Sequence, residues 1–257
     1  MLPTITFFGK TIAMYGLMIL LGIGIGIILA VKRSDRYQIS RQDVLFSSCY
    51  GVIGLVIGAK LLFIVTIVPS LLRNQALWLS DISMISPLLS GGFVFYGGLL
   101  GALLGYYIYC RQYHIRFICL LDLIAPSVPI IHGFGRIGCF FAGCCYGLPY
   151  RGPLHIIFHK STIAPNNLAL LPIQLIESGF NFLAGFGLLY YAGRKPGQGK
   201  LIGVYLIYYA IFRFLIEFFR GDGARGIIYS LSISQWISLL LLPFGIWLYR
   251  CYRYYIS

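Results

Sequence analysis

The run "TIAMYGLMILLGIGIGIILAV", residues 11–31, contains no charged side chain and is followed at once by Lys32, Arg33 and Arg36. A helix advances 1.5 Å per residue, so about 20 apolar residues cross a hydrocarbon core roughly 30 Å thick. The pattern repeats. Further apolar runs lie at 44–68, 92–110, 117–135, 172–193, 201–220 and 231–249, separated by short basic or Gly/Pro-rich breaks. With 59% hydrophobic and only 11% charged residues, a soluble domain has too little polar surface to cover its apolar residues. The reading is an all-α polytopic membrane protein, about seven transmembrane helices in one domain spanning 1–257. No cleavable signal peptide is expected, because the first apolar run continues into a full-length span.

The net charge of +13 is unevenly distributed. Lys32, Arg33, Arg36 and Arg41 follow the first run, and Arg111 and Arg116 the third. Arg194, Lys195 and Lys200 follow the fifth, and Arg250 and Arg253 close the chain. The positive-inside rule puts these segments in the cytoplasm, with the N-terminus outside and the C-terminus inside. The excess of basic residues is then a matter of topology and anionic headgroups, not of nucleic-acid binding.

Ionisable residues at membrane depth face a cavity or a partner. The candidates are Lys60, Asp122, Arg136, Glu177, Arg213, Glu217 and Arg220, with Gln174 one helical turn before Glu177. In "FRFLIEFFR", Arg213, Glu217 and Arg220 stand at i, i+4 and i+7, which predicts one helix face with the acid orienting the arginines. Arginine suits phosphate because it is permanently charged, planar and donates two parallel hydrogen bonds. "HGFGRIGCFFAGCCYG", residues 132–147, reads as a helix broken by its glycines near the outer face, presenting Arg136 to a phosphate. "GGFVFYGGLLGA", residues 91–102, admits two readings: small residues for tight helix packing, or a cavity entrance with the Tyr96 hydroxyl inside it. Tyr15 is either an interfacial aromatic or a second cavity hydroxyl. Cys49, Cys110, Cys119 and Cys251 read as small packing residues. Cys139, Cys144 and Cys145 could form a disulfide in an oxidising compartment, but their spacing is unlike common zinc patterns and His155 and His159 add little. No metal and no cofactor are expected.

Taken together, "YGLM" at 15–18, "GGFVFYGGLLGA", "DLIAPSVP" at 122–129, "GRIGCFFAGCCYG", "PIQLIE" at 172–177 and "YAIFRFLIEFFR" at 209–220 resemble the prolipoprotein diacylglyceryl transferases of the bacterial inner membrane. The resemblance implies transfer of the diacylglyceryl group of phosphatidylglycerol to the lipobox cysteine of a prolipoprotein, with glycerol phosphate leaving. It implies catalytic roles for Arg136, Arg213, Glu217 and Tyr96. It implies lipid binding by Arg136, Arg220, Tyr15, Lys60, Gly97, Gly98, Cys139, Gly147, Gln174 and Glu177, in a monomer integral to the inner membrane.

The chain departs from the family pattern at four positions. Tyr96 and Leu171 stand where histidines are usual, Cys139 where an asparagine is, and Cys144 where an acid is. These departures leave the phosphate-binding half of the chemistry intact and leave the base open, since tyrosine is a poor base near neutral pH. Three other functions are compatible with the residues. They are a paralogue with another acceptor nucleophile, a thiol oxidoreductase using Cys139, Cys144 and Cys145, and a non-catalytic lipid binder.

Overall fold

A computed structural model describes residues 4–7, 10–73, 92–194, 199–222 and 226–251. Gly91, Lys195 and Arg253 lie outside them. Each of the seven apolar runs contains helix. The helices are α1 (Met14–Arg33), α2 (Arg41–Arg73), α3 (Phe95–Gln112), α4 (Phe117–Ile124), α5 (Ser127–Ala142), α6 (Ile173–Arg194), α7 (Lys200–Ile216) and α8 (Ile233–Cys251). Among the described residues, three segments are long and apolar enough to cross a membrane: Met14–Tyr37, Arg41–Pro69 and Lys200–Phe219. The bent pair α4–α5 makes a fourth when its two helices are counted as one span. Three two-stranded antiparallel ribbons complete the described structure: β1 (Thr4–Phe7) with β2 (Lys10–Ala13), β3 (Ile156–Ile157) with β4 (Ala169–Leu170), and β5 (Ile227–Ile228) with β6 (Leu231–Ser232).

The residues form two compact units, 38–117 and the remainder. The first is the α2–α3 hairpin. Ser40 caps α2, its Oγ accepting from the Asp43 amide at 3.0 Å, which satisfies one of the helix's open N-terminal donors. Glycines then let the two backbones meet: a Cβ added to Gly58 would lie 2.9 Å from Gly101 Cα, and one added to Gly101 would lie 3.0 Å from Gly58 Cα. Gly97 also faces Gly58 at this crossing. The tight-packing reading of residues 91–102 therefore describes Gly97, in the manner of small-residue crossings between apolar helices.

In the second unit α5 packs between α1 and α6. Gly22 accommodates the Phe134 Cβ, and the Ser127 hydroxyl donates to the Gly26 carbonyl at 2.8 Å. On the other side Ser178 donates to the Gly133 carbonyl at 2.9 Å. α7 packs against α8, with Gly203 close to the Tyr249 backbone.

Two expectations need correction. The helix is not broken at Arg136: α5 runs unbroken through it, and the 47° bend falls upstream, between α4 and α5 at Ala125–Pro126. Gly133 and Gly138 serve close packing instead, whereas a Cβ on Gly135 would meet nothing within 4 Å. A Cβ on Gly133 would lie 2.8 Å from Phe182 Cε1, and one on Gly138 3.1 Å from Tyr15 Cδ2. The second correction concerns the late arginine face. α7 stops at Ile216, Glu217–Phe219 form a 3-10 turn, and Arg220 is extended (φ −84°, ψ 138°). Arg220 therefore leaves the helix, yet its Nη1 still lies 3.7 Å from the Glu217 oxygen that pairs with Arg213, so the acid stands between the two arginines without a common helix face.

Candidate functional site

The site begins on α5. Gly143, at φ +72°, ends that helix with a left-handed residue, a conformation glycine adopts without Cβ strain. Its amide donates to the Phe140 carbonyl at 3.2 Å, and the Cys144 amide to Cys139 at 3.1 Å. The chain then runs beside the end of α7: the Leu148 amide donates to the Phe219 carbonyl at 3.0 Å and the Gly221 amide to Tyr146 at 2.9 Å. Gly147 bridges Arg220 in this pairing and sits against Leu171. Gln174, in the first turn of α6, donates to the Cys144 carbonyl at 2.8 Å. The glycine-rich loop is thus fastened to both α6 and the 219–221 segment.

Inside this frame runs a ladder of alternating charge. Arg136 Nε pairs with Glu177 Oε2. Arg213 lies 3.5 Å from Glu177 Oε1 through Nη1 and 2.8 Å from Glu217 Oε2 through Nη2. Arg220 Nη1 is 3.7 Å from the same Glu217 oxygen, and its Nε and Nη2 form a two-pronged contact with Asp222 at 3.1 and 2.7 Å. Glu177 is 2% exposed and Arg213 8%, so these charges are screened by each other rather than by water. Desolvating each ion costs several kcal/mol, and removing one partner of a buried pair costs about 3–5 kcal/mol.

The ladder is not saturated. Arg213 Nη1 and Glu177 Oε1 are both buried and, among the described residues, have no hydrogen-bond partner. Gln174 Oε1 is in the same condition. Buried polar atoms are rarely left so.

Of the residues singled out from sequence, Arg136, Glu177, Arg213, Glu217 and Arg220 come together in one ladder. Gln174, Cys139 and Gly147 belong to the loop that frames it, and Tyr15 packs on Gly138 beside that loop. Tyr96, Gly97, Gly98 and Lys60 belong to the α2–α3 unit. Lys60 Nζ there stands 5.2 Å from the Phe63 ring centroid and 5.5 Å from that of Phe93. The Tyr96 ring meets Phe95 edge-on.

Sequence reasoning missed three participants. His132 Nε2 accepts from Arg136 Nε at 3.3 Å, a contact signalled only by its position one turn before the arginine. Ser234 of α8 lies 3.0 Å from Arg213 Nη2, and no sequence signal pointed to it. Asp222 had the signal of an acid two residues after Arg220. Asp122, by contrast, is structural: its carboxylate accepts from the Gly199 amide and, at 3.0 Å, from the Ile202 amide, capping α7. All seven cysteines are free thiols, and no disulfide joins Cys139, Cys144 or Cys145.

The chain matches the family described as prolipoprotein diacylglyceryl transferase over residues 3–251. It is similar to the phosphatidylglycerol–prolipoprotein diacylglyceryl transferase of Clostridium tetani, 39% identical over 96% of both chains. It is also similar to phosphatidylglycerol–prolipoprotein diacylglyceryl transferase 2 of Clostridium perfringens, 36% identical over 95% of this chain and 92% of that one. The corresponding transferase of Rickettsia felis is 34% identical over 92% and 91%.

Proposed function

The chain belongs to the prolipoprotein diacylglyceryl transferase family, and from that premise we propose that it transfers the diacylglyceryl group of phosphatidylglycerol to the cysteine thiol of a prolipoprotein. A carbon–sulfur bond forms at the glyceryl carbon, the bond from that carbon to the phosphate oxygen breaks, and glycerol phosphate departs. The proton lost by the thiol ends on the departing phosphate, directly or through water. The thiolate is the nucleophile.

The observation that carries this reading is the unsaturated ladder of Arg136, Glu177, Arg213 and Glu217. Negative charge grows on the leaving phosphate as sulfur attacks. Guanidinium groups already fixed at that place stabilise the charge without reorganising, the effect that dominates many enzymes. Arg136 engages Glu177 and His132 through Nε, an arrangement that keeps its terminal fork for the lipid phosphate. Arg213 contributes Nη1, held only loosely by Glu177. Glu177 and Glu217 orient the arginines, and Arg220 and Gln174 steady the loop of Cys139 and Gly147 around the headgroup. Tyr15 lines the same pocket.

In the α2–α3 unit, Tyr96 offers its hydroxyl to lipid oxygens and Lys60 contacts lipid, while Gly97 and Gly98 hold α3 against α2. The chain acts as one monomeric domain of seven spans in the bacterial inner membrane, N-terminus outside and C-terminus in the cytoplasm. The distribution of basic residues supports that orientation. The names of the relatives favour the transferase over a thiol oxidoreductase or a passive lipid binder.

The test is reconstitution of the purified protein with phosphatidylglycerol and a lipobox peptide, assayed for thioether-linked peptide and glycerol phosphate. Stoichiometric appearance of both supports the reading. Lipid binding without either product refutes it.

A further inference from the structure

The loop that frames the ladder holds a second chemical feature. The Sγ atoms of Cys139, Cys144 and Cys145 all lie within 4.8 Å of one another. Three local choices of the backbone bring them there. Cys139 sits in the last turn of α5, Gly143 reverses the chain at φ +72°, and Cys145 is itself left-handed at φ +56°. A left-handed conformation is uncommon for a side chain other than Gly, Asn or Asp and costs about 1 kcal/mol or more. The loop is further pinned by Gln174 donating to the Cys144 carbonyl. We propose that Cys139, Cys144 and Cys145 form a binding site for a single thiophilic d10 cation such as Zn²⁺ or Cd²⁺.

Size and charge both favour this. A metal–thiolate bond of roughly 2.3 Å puts the three sulfurs of one ion about 4 Å apart, so the cluster needs to contract by at most about 1 Å. A disulfide needs two sulfurs to close to about 2.05 Å, and adjacent cysteines such as Cys144 and Cys145 cannot do so without strain. Three thiolates around a divalent ion carry a net charge of −1. Arg136 stands one turn before Cys139, and Arg220 is paired to the same loop through Gly147. They stabilise the thiolates and offset the residual charge. The unusual spacing, i, i+5 and i+6, explains why common zinc patterns fail to reveal the site from sequence. His155 and His159 are engaged elsewhere, with the Gly152 carbonyl and Asn167, so the fourth position stays open for water or an exogenous ligand. The proposal assumes nothing about lipid transfer.

The experiment is titration of the reduced, metal-free, full-length protein in detergent with Cd²⁺ and Co²⁺. The expected result is one ion per chain, with thiolate-to-metal charge-transfer absorption. Affinity should fall at least about tenfold in Cys139→Ser, Cys144→Ser or Cys145→Ser and stay unchanged in Cys119→Ser. Because a serine variant can fail to fold, wild-type protein supplies a second arm. One equivalent of Zn²⁺ should protect these three thiols, but not Cys49, from alkylation read by mass spectrometry. Absorption that survives all three serine changes, or alkylation of the three thiols at the metal-free rate, overturns the site.

Discussion

Arg33 and Asp122 are buried as deeply as Arg213 and Glu177, at 7% and 0% exposed against 8% and 2%, yet the two sets are satisfied in opposite ways. The terminal nitrogens of Arg33 donate to the Leu123 carbonyl and the Tyr37 hydroxyl, and only its Nε is left without a hydrogen bond among the described residues. Asp122 accepts backbone amides at the start of α7. Neither arrangement needs a second ion, and each ties one helix to another. Arg213 and Glu177 instead lean on one another at 3.5 Å and leave Nη1 and Oε1 without a hydrogen bond. Buried charge satisfied by backbone marks architecture. Buried charge balanced against several other charges, as in the ladder of Arg136, Glu177, Arg213 and Glu217, marks a place for an anion.

The sharpest way to break this comparison is at the arginines. Arg136→Lys and Arg213→Lys keep a cation but replace a planar two-pronged donor by a point charge. Transfer to a lipobox peptide should fall by about 10²–10³-fold, the usual loss when one donor to developing charge is removed. Thermal unfolding should report a retained fold.

Glu217 comes next, because its oxygen meets both Arg213 and Arg220. Glu217→Gln keeps an acceptor oxygen and should retain part of the transfer rate, whereas Glu217→Ala should lose more. Equal and complete loss in both folded variants, followed in the same assay, would assign Glu217 a proton-transfer role instead.

The architectural set should respond in stability. Asp122→Ala removes the cap of α7 and should lower the unfolding free energy by about 1–2 kcal/mol, measured by thermal or denaturant unfolding in detergent. The transfer rate of the protein that remains folded should stay within about twofold. A larger kinetic loss would erase the distinction between the two sets.

The smallest effect is expected at Tyr96, where a histidine is usual in the family. Tyr96→Phe removes one neutral hydrogen bond, about 0.5–1.5 kcal/mol, which is a rate loss of up to about tenfold. Tyr96→His should keep or raise the rate of peptide transfer. A phenylalanine variant equal to wild type, beside a histidine variant that gains nothing, removes Tyr96 from the site.

Much of the fold could be read directly from the chain. The apolar runs at 44–68 and 172–193 are helices, and α2 begins ahead of its run where Ser40 caps it. The β2 strand was hidden: Thr11–Ala13 is as apolar as the helix it precedes, and hydropathy alone does not separate them. The bend at Ala125–Pro126 was misplaced onto the glycines of α5, because glycine permits both bending and close packing and only the neighbouring Phe182 and Tyr15 decide between them. Arg136, Arg213, Glu217 and Arg220 were individually legible as costly charges. Glu177 at the centre of the ladder was less so, since its partners lie 41 and 36 positions away in sequence (177 − 136 and 213 − 177). Spacing within one helix carries no information about which charges meet across three.

The most direct measurement places the two sets side by side. Wild type, Arg213→Lys and Asp122→Ala are reconstituted at equal folded concentration in vesicles of phosphatidylglycerol, and release of glycerol phosphate is followed in the presence of a lipobox peptide. The account predicts near-normal release from Asp122→Ala and almost none from Arg213→Lys. Release from Arg213→Lys at the wild-type rate would contradict it.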